Sequence, residues 1–396
     1  MTATGIREAA KSLLLFLALA TLPIYIGRHS QEMQKGKDFP EFYAAARIVS
    51  AGRGHELYRA GTQEEFQIRY FGGVGPYFNH PPFEILLYLP FAFCPPLYAH
   101  WLWFVFSLGL LFAVAWRLHG DVLKGFRWSV LLLLYLMFIP LLLDFLQGQD
   151  STLLLFLLAS VFVALKNGQN FAGGCLLACG LFKPHLVLPV LFALLASAGK
   201  KFLAGFASVS FILLLLSVAI CGWNVLRAYP WFVWQSRSLP LAGIHPEQMA
   251  NLHGLMVRLF PHIAPVELGL TLVGSLLILS MATRRWTNPE RCTDRRSDLS
   301  FANVVIAATL VSYHLSPHDL TILLLPLILI FNYISTTTEV PIWIRVAFIT
   351  TLTIAFLPPL DLFLLREHLY AYASLPILML FWLSHLEISR SVARRE

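Results

Sequence analysis

Residues 203–221 read LAGFASVSFILLLLSVAIC, a run without a charged side chain. A membrane-spanning helix needs about 20 mostly apolar residues, so this run is long enough to cross a bilayer. The rest of the chain has the same character, since 57% of its residues are hydrophobic and only 13% are charged. Soluble domains carry about twice that share of charged residues. The composition therefore predicts one polytopic membrane body over residues 1–396 rather than several soluble domains.

Similar apolar runs recur along the whole chain and predict an all-α integral membrane protein. Backbone groups in lipid must pair within their own segment, which favours helices, and the alternation typical of a membrane-spanning strand is not seen. We expect about twelve membrane-spanning helices. Their predicted ranges are 13–26, 97–116, 128–143, 151–165, 171–182, 184–198, 203–221, 266–283, 299–313, 319–334, 341–357 and 370–386. Within 171–198 two interpretations stay open: a broken helix pair, or one element kinked around Lys183 and Pro184.

The basic residues give these spans an orientation, because cytoplasmic loops of membrane proteins are enriched in Lys and Arg. The loops predicted to lie inside contain Arg117, Lys124, Arg127, Lys166, Lys200, Lys201, Arg284, Arg285, Arg291, Arg295 and Arg296. The predicted outer loops hold few basic residues apart from residues 28–80, and long loops translocate largely regardless of their charge. We therefore expect both ends of the chain in the cytoplasm.

With this orientation, polar and ionisable residues gather at the outer ends of the predicted spans. They are Asp38, Glu41, His80, Asp144, Gln147, Gln149, Asp150, Lys183, His185, His245, His253, His314, His318 and Asp319. An ionisable group in the middle of a membrane helix costs about 2.5–3.5 kcal/mol, and such groups persist mainly where they line a cavity or pathway. The sequence therefore predicts a polar functional site at the outer face.

The predicted outer loop, residues 28–96, contains KGKDFPEFYAAARIVSAGRGHELY at residues 35–58. An amphipathic stretch runs from Phe42 toward Tyr58, with Phe42, Ala45, Ala46 and Val49 at helical spacing, and Gly52 and Gly54 stop the helix. This spacing predicts an amphipathic helix in the membrane interface, with Asp38 held at the membrane surface before it. A simple N-cap of that helix is the alternative role for Asp38.

A second segment of the same loop begins at His80, Pro81 and Pro82. The two prolines end any preceding helix and can start the next one. The apolar residues 83–93 that follow are too few to cross a bilayer, so they predict another interfacial or re-entrant helix. His80 either caps that helix or lines the polar site, and the sequence leaves both roles open.

Three further polar segments follow or separate predicted spans. Residues 147–150, Gln-Gly-Gln-Asp, form either a plain polar turn or a turn with hydrogen-bonding side chains. Lys183 has no acidic residue close by in the sequence, so it either reaches lipid headgroups or binds a phosphate. His314 and His318 crowd with Asp319, but histidines four residues apart around a Ser-Pro break are weak evidence for a metal site.

The sequence also argues against several classes of protein. The net charge of +7 agrees with basic cytoplasmic loops, and no phosphate-binding loop, dinucleotide fingerprint or nucleic-acid motif is present. Cys175 and Cys179 lie one helical turn apart without a second pair of ligands, which favours packing over metal or redox chemistry. A transporter or flippase stays an alternative, although the two halves of the chain show no repeat.

Taken in order, these motifs resemble glycosyltransferase family 87 of the GT-C superfamily. An acid in the first outer loop, Asp38, is followed by Gly54-His55-Glu56-Leu57-Tyr58, Pro81-Pro82, Gln147-Gly148-Gln149, Lys183-Pro184 and His318-Asp319. The chain departs from the family where His80 replaces a frequent Tyr and Asp150 a frequent Asn. The resemblance implies a GT-C-type helix bundle that transfers a sugar, mannose or a related pentose, from a polyprenyl-phosphate donor.

The resemblance also implies roles for individual residues. Asp38 would be the catalytic base of an inverting transfer to a hydroxyl of a lipid or glycan acceptor. The candidates for binding the leaving donor phosphate are Lys183, His314 and His318. The candidates for binding substrate are Glu41, Tyr43, His80, Gln147, Gln149, Asp150 and Asp319. We expect no metal or other cofactor, no nucleic-acid partner, contact with membrane lipids, and a bacterial inner membrane with the site on its extracytoplasmic side.

Overall fold

The computed structural model describes residues 38–119, 122, 135, 137–236, 245–285, 295–355 and 357–393. Within these ranges the regular structure is entirely helical, which confirms the all-α prediction. The predicted first span, residues 13–26, and the placement of the N-terminus lie outside the described residues. The same holds for the basic residues Lys124, Arg127 and Arg291.

The described residues form a succession of α-helices joined by turns and short 3₁₀ segments. In chain order the α-helices are α1 (Phe39–Ser50), α2 (Ala60–Phe71), α3 (Ile85–Tyr88), α4 (Pro96–His119), α5 (Ile139–Gln147), α6 (Ser151–Lys166), α7 (Asn170–Cys179), α8 (Pro184–Cys221), α9 (Trp223–Ser236), α10 (Leu252–Leu259), α11 (Ala264–Arg285), α12 (Arg295–Val311), α13 (Leu324–Thr336), α14 (Ile342–Ala355), α15 (Pro358–Arg366) and α16 (Ser374–Ala393). The 3₁₀ segments are Gly54–Glu56, Pro82–Glu84, Leu89–Phe93, Pro246–Gln248, Pro317–Leu323 and Tyr370–Ala373. Each predicted span from residue 97 onward overlaps one of these helices, although residues 128–134 and 136 of the span 128–143 lie outside the described residues.

The described part of the chain contains five helical stretches that are long and apolar enough to cross a membrane. They are Pro96–His119, Ser197–Cys221, Ala264–Thr283, Pro317–Thr336 and Tyr370–Ser391. The bent pair α14 and α15 would make a sixth if it forms one broken span. A polytopic helical membrane protein is thereby confirmed, while the expected number of about twelve spans stays a prediction.

The region around Lys183 consists of two helices rather than one kinked element. Helix α7 ends at Cys179, Lys183 lies in the turn, and α8 begins at Pro184, where proline fits the first helical turn. Helix α8 itself is interrupted at Gly199, whose φ of 75° and ψ of −178° are not helical. The predicted stretches 184–198 and 203–221 are therefore two helical segments separated by a break at Gly199, as the sequence indicated.

The apolar helices differ in how much of their surface the protein covers. Helix α6 buries most of its side chains, and α13 is buried from Leu324 to Ile330. By contrast, only 17% of the most apolar window of Ser197–Cys221 and 11% of that of Ala264–Thr283 is buried. Apolar side chains that stay exposed around a helix of spanning length fit a lipid surrounding.

The first loop is more compact than the sequence indicated. Helix α1 matches the predicted amphipathic helix, but its apolar face packs against aromatic side chains of the same loop instead of lying open to lipid headgroups. Phe42 stacks on Tyr88 with 4.4 Å between the ring centroids. Arg47 donates to the hydroxyl of Tyr70 over 2.6 Å and to the carbonyl of Ala92 over 2.8 Å. These contacts fix α1, and with it Asp38, in one position.

Helix α2 was not predicted, because its sequence AGTQEEFQIRYF has little apolar periodicity. Its buried amides stabilise it instead. Gln63 donates to the carbonyl of Leu57 over 2.8 Å, and Gln67 donates to the carbonyl of Pro76 over 2.7 Å. These partners lie outside the helix, so the pattern within α2 does not reveal them. Helices α9, α10 and α15 also lie where no helix was predicted.

Candidate active site

Most of the predicted polar residues come together where α1, α5, α6, α8 and the 3₁₀ segment Pro317–Leu323 begin or end. We call this group the polar cluster. Its members are Asp38, Glu41, His80, Glu84, Gln147, Gln149, Asp150, Lys183, His318 and Asp319. Segments that lie far apart in the sequence thus share one site, as the common outer location of these residues predicted.

Asp38 stands at the N-cap position of α1, yet its side chain accepts no capping hydrogen bond. Instead, the side-chain amide of Gln149 donates to Asp38 Oδ2 over 2.6 Å. Pro40 is the second residue of the helix and has no amide hydrogen, which removes one donor that a capping side chain uses. The alternative role of Asp38 as a simple N-cap is therefore wrong.

The environment of Asp38 sets how readily it ionises. The residue is half-buried, and burial raises the pKa of its carboxyl above the ordinary value. The hydrogen bond from Gln149 and the charge of His80 act on this pKa in the opposite direction. Burial also raises the pKa of Glu41, one helical turn further along α1, well above its usual range.

The turn after α5 holds Gln149 against α1. Gly148 has a φ of 70°, in the left-handed region that glycine adopts readily. A Cβ atom at this position would lie 2.8 Å from Cβ of Phe39, so only glycine fits so close to α1. The indole N–H of Trp103 donates to the carbonyl of Gln149 over 3.0 Å. Residues 147–150 are therefore a hydrogen-bonding turn rather than a plain polar one.

His80 lies between two buried acids. Its Nδ1 is 3.1 Å from Glu84 Oε2, and its Nε2 is 3.9 Å from Glu41 Oε1. The hydroxyl of Tyr58 donates to the backbone carbonyl of His80 over 2.6 Å and fixes the segment. The N-cap of the following 3₁₀ segment is Pro81, so His80 lines the site instead of capping that segment.

Lys183 forms the charged centre of the cluster. Its Nζ lies 2.7 Å from Asp319 Oδ1 and 3.1 Å from Asp150 Oδ1, and the residue is only 2% exposed. Burial alone would lower the pKa of Lys183, but the two carboxylates raise it. The expectation that Lys183 reaches lipid headgroups is therefore wrong, because its anionic partners are distant in sequence but adjacent in the fold.

The two histidines of the late outer segment have different surroundings. His318 is buried, and its Nδ1 lies 2.7 Å from Gln147 Oε1. His314 is half-buried, with its ring 5.7 Å from the ring of His185. His318 therefore links the end of α5 to the cluster, while His314 keeps part of its surface exposed beside it.

Tyr43 is the predicted substrate-binding residue that the structure does not bring to the cluster. Its hydroxyl donates to the carbonyl of Cys94 over 2.8 Å, and its ring contacts that of Phe71 at 5.5 Å. Tyr43 comes two residues after Glu41, which places it about 200° around the helix. It therefore packs α1 against the rest of the loop.

Two acids were given no individual role from the sequence: Glu84 was not singled out, and Asp144 was only counted among the outer polar residues. Glu84 is fully buried and faces His80; their spacing of four residues was the signal available in the sequence. Asp144 accepts hydrogen bonds from the amides of Ser151 and Thr152 over 2.9 and 3.1 Å. Asp144 thus satisfies the first amides of α6, which marks it as a structural residue.

The arrangement suits proton removal more than it suits binding an anion. Asp38 is half-buried and held by a neutral amide, so a hydroxyl that enters the site can donate to it. The charge of Lys183 is already compensated by Asp150 and Asp319. Across the described ranges, no three His, Cys, Asp or Glu side chains are placed to hold a metal ion. The expectation of a metal-independent reaction stays a prediction.

Comparison with known proteins gives one family. The family model for glycosyltransferase family 87 matches residues 78–313, which is more than half of the chain. The matched part includes His80, the turn 147–150 and Lys183, whereas Asp38 and Asp319 lie outside it. No curated protein matches the chain.

Proposed function

The chain belongs to glycosyltransferase family 87, and from this membership we propose that it moves a sugar from a polyprenyl-phosphate donor to a hydroxyl of a lipid or glycan acceptor. Membership makes it a membrane glycosyltransferase and favours transfer over the transporter alternative. The observation that carries the finer proposal is Asp38, which is half-buried and held by Gln149 in a cluster at the end of a spanning helix. Mannose is the expected sugar.

The proposed reaction forms one carbon–oxygen bond and breaks another. The acceptor oxygen attacks the anomeric carbon from the face opposite the phosphate, so the configuration at that carbon inverts. The proton of the hydroxyl passes to the carboxylate of Asp38 as the new bond forms. The electron pair of the broken bond leaves with the polyprenyl phosphate. General base catalysis of this kind contributes about 10²–10⁴-fold to a rate.

Gln149 supports this role by orienting the base. A carboxylate whose Oδ2 accepts a hydrogen bond at 2.6 Å has its plane fixed, and its other oxygen then points in a defined direction. The amide carries no charge, so it lowers the carboxylate's affinity for a proton less than a cation would. Orientation and proton affinity are the two properties that a general base requires.

Burial bears on which residue of the site binds the donor phosphate. Lys183 is only 2% exposed and His318 only 6%, so the protein encloses both side chains. Among the three predicted phosphate ligands, His314 keeps the most exposed surface. We therefore assign the phosphate contact to His314, with Lys183 and His318 behind it. Hydrogen-bond donors suit this task, because the leaving phosphate needs stabilisation rather than a proton.

The position of the cluster along the spans supports a lipid-linked donor. His318 and Asp319 lie in the first turn of Pro317–Thr336, a stretch apolar and long enough to cross a membrane. The cluster is therefore at a membrane boundary, where a phosphate meets water while its prenyl chain stays in the bilayer. In the proposed complex, Glu41, His80 and Gln147 bind hydroxyls of the sugar or acceptor, while Asp150 stays paired with Lys183. The site faces the extracytoplasmic side of a bacterial inner membrane.

The direct test supplies purified full-length protein in vesicles with synthetic polyprenyl-phosphate sugars, including mannose and arabinose, and with candidate lipid and glycan acceptors. The readout is consumption of the donor. We expect one of these donors to be consumed by the native protein and left intact by the Asp38→Asn variant. Failure of every polyprenyl-phosphate donor, in several membrane mimics, would overturn the donor assignment. Equal consumption by Asp38→Asn would overturn the base assignment.

A further inference from the structure

Helix α9 (Trp223–Ser236) was not foreseen in the sequence and has no part in the proposed chemistry. It follows the spanning stretch Ser197–Cys221 with only Gly222 between them. Gly222 has a φ of 82°, a conformation that lets the chain change direction at once. Helix α9 therefore begins where a membrane-spanning segment ends.

The two sides of α9 differ in how exposed their aromatic side chains are. On one side, the rings of Tyr229 and Phe232 lie 5.2 and 5.0 Å from the ring of Tyr58. The other side carries Trp223, Arg227, Trp231 and Trp234, spaced four, four and three residues apart, so they form one stripe along the helix. The three indoles are 56%, 62% and 64% exposed, and Arg227 is exposed as well. We call this set the tryptophan stripe.

The composition of the tryptophan stripe identifies its partner. Tryptophan is enriched at the boundary between hydrocarbon and water, since its ring is apolar and its N–H needs a polar partner. An arginine among the indoles suits the phosphates of lipid headgroups. The helix also starts immediately beyond Gly222, which follows Ser197–Cys221, a stretch long and apolar enough to span a membrane. We propose that α9 lies in the plane of the membrane interface, with the tryptophan stripe inserted among the lipids of the leaflet in which that span ends.

This placement anchors the polar cluster to the membrane surface. Tyr58, which packs on the inner side of α9, donates its hydroxyl hydrogen bond to the carbonyl of His80 over 2.6 Å. The turn before Tyr58 is also fixed, because a Cβ atom on Gly54 would lie 2.0 Å from the carbonyl oxygen of Ile220. A short chain of contacts thus runs from the lipid-facing helix to the site. The tryptophan stripe would lie among the lipids whichever reaction the polar cluster performs.

The test uses the fluorescence of the indoles in full-length protein reconstituted into phosphatidylcholine vesicles. The chain has 10 tryptophans, so the informative signal is the emission lost in the triple variant Trp223→Phe/Trp231→Phe/Trp234→Phe. An interfacial helix sits about 5–10 Å into the headgroup boundary. We therefore expect the lost emission to be quenched more by lipids brominated near the headgroup than by lipids brominated near the chain ends.

A tryptophan within a spanning helix serves as the control for how deep in the bilayer an indole lies. Trp382 is 52% exposed and lies in the middle of the spanning stretch Tyr370–Ser391, so the emission lost in Trp382→Phe should be quenched most by deep bromines. The proposal is overturned if iodide in water, and not brominated lipid, quenches the emission of the tryptophan stripe. It is equally overturned if that emission follows the deep pattern of Trp382. Should the triple variant fail to accumulate, Trp231→Phe alone gives the same comparison.

Discussion

The two sides of the polar cluster hold their charges differently. On one side, Lys183 is paired with Asp319 and Asp150, and all three residues are buried. On the other side, Asp38 is half-buried and receives a hydrogen bond from the neutral amide of Gln149. A carboxylate paired with a buried cation gives up much of its proton affinity, whereas one held by an amide keeps more of it. The proposed chemistry therefore needs the second side, whereas the first joins segments that are distant in the sequence.

The largest effect is expected at Asp38. Replacing it with Asn keeps the size of the side chain and removes the carboxylate that accepts the proton. Sugar transfer should fall by about 10²–10⁴-fold, the usual contribution of a general base. Unfolding temperature and donor binding should change little, since Asn can still pair with the amide of Gln149. Transfer rates and donor affinity measured on the same vesicle preparation check this expectation.

The second largest effect is expected for Lys183→Met, which should lower the free energy of unfolding. It leaves Asp319 and Asp150 buried without their cation, and breaking a buried pair costs about 3–5 kcal/mol of unfolding free energy. Thermal unfolding in detergent measures the loss. The double variant Lys183→Met/Asp319→Asn should recover part of it. An unchanged unfolding temperature together with weaker donor binding would instead support the phosphate-binding role predicted from the sequence.

A smaller effect is expected when Gln149 is changed to Ala. The variant removes the hydrogen bond to Asp38 Oδ2, and a bond to a charged group contributes about 1.5–3 kcal/mol. If that bond mainly orients the base, kcat should fall about 10- to 100-fold while donor affinity is kept. Steady-state kinetics with varied donor separate the two constants. A change confined to KM would place Gln149 in donor binding instead.

The smallest effect is expected for His80→Gln, as a shift in the pH dependence of sugar transfer. The base works only when ionised, so transfer declines as pH falls through the pKa of Asp38. The charge of His80 lowers this pKa, and the other ionisable groups facing His80 are Glu41, Glu84 and His185. Without this contribution from His80 the carboxyl of Asp38 binds its proton more tightly, so in His80→Gln the acid limb of kcat/KM should move to higher pH. An unmoved limb with a uniformly lower rate would indicate a packing role only.

The membrane fold could be predicted because its signals are local. An apolar run such as residues 203–221 reports its own environment, so a spanning helix can be recognised without knowledge of its partners. Helix α2 was missed for the opposite reason, since its stability comes from Gln63 and Gln67 binding carbonyls outside the helix. Signals that depend on a partner elsewhere in the chain do not show in a window of sequence.

In the candidate site, too, local features could be predicted from the sequence and partners distant in the chain could not. That Asp38 and Lys183 belong to a polar site was predictable from their place at the ends of spans. Their partners were not, because Gln149 is 111 residues from Asp38 and Asp319 is 136 residues from Lys183. The lack of a visible partner made Lys183 resemble a headgroup-seeking residue. For Tyr43, the helical angle relative to Glu41 was available in the sequence and argued against a place in the site.

The most direct measurement compares Asp38→Asn with Asp144→Asn in one donor-consumption assay, normalised to folded protein. Both changes remove one buried or half-buried carboxylate near the same turn, but Asp144 serves the amides of Ser151 and Thr152. We expect Asp144→Asn to unfold at a lower temperature and still consume the donor, and Asp38→Asn to remain folded and consume almost none. If Asp38→Asn turns over donor as fast as the native protein, Asp38 is not the base.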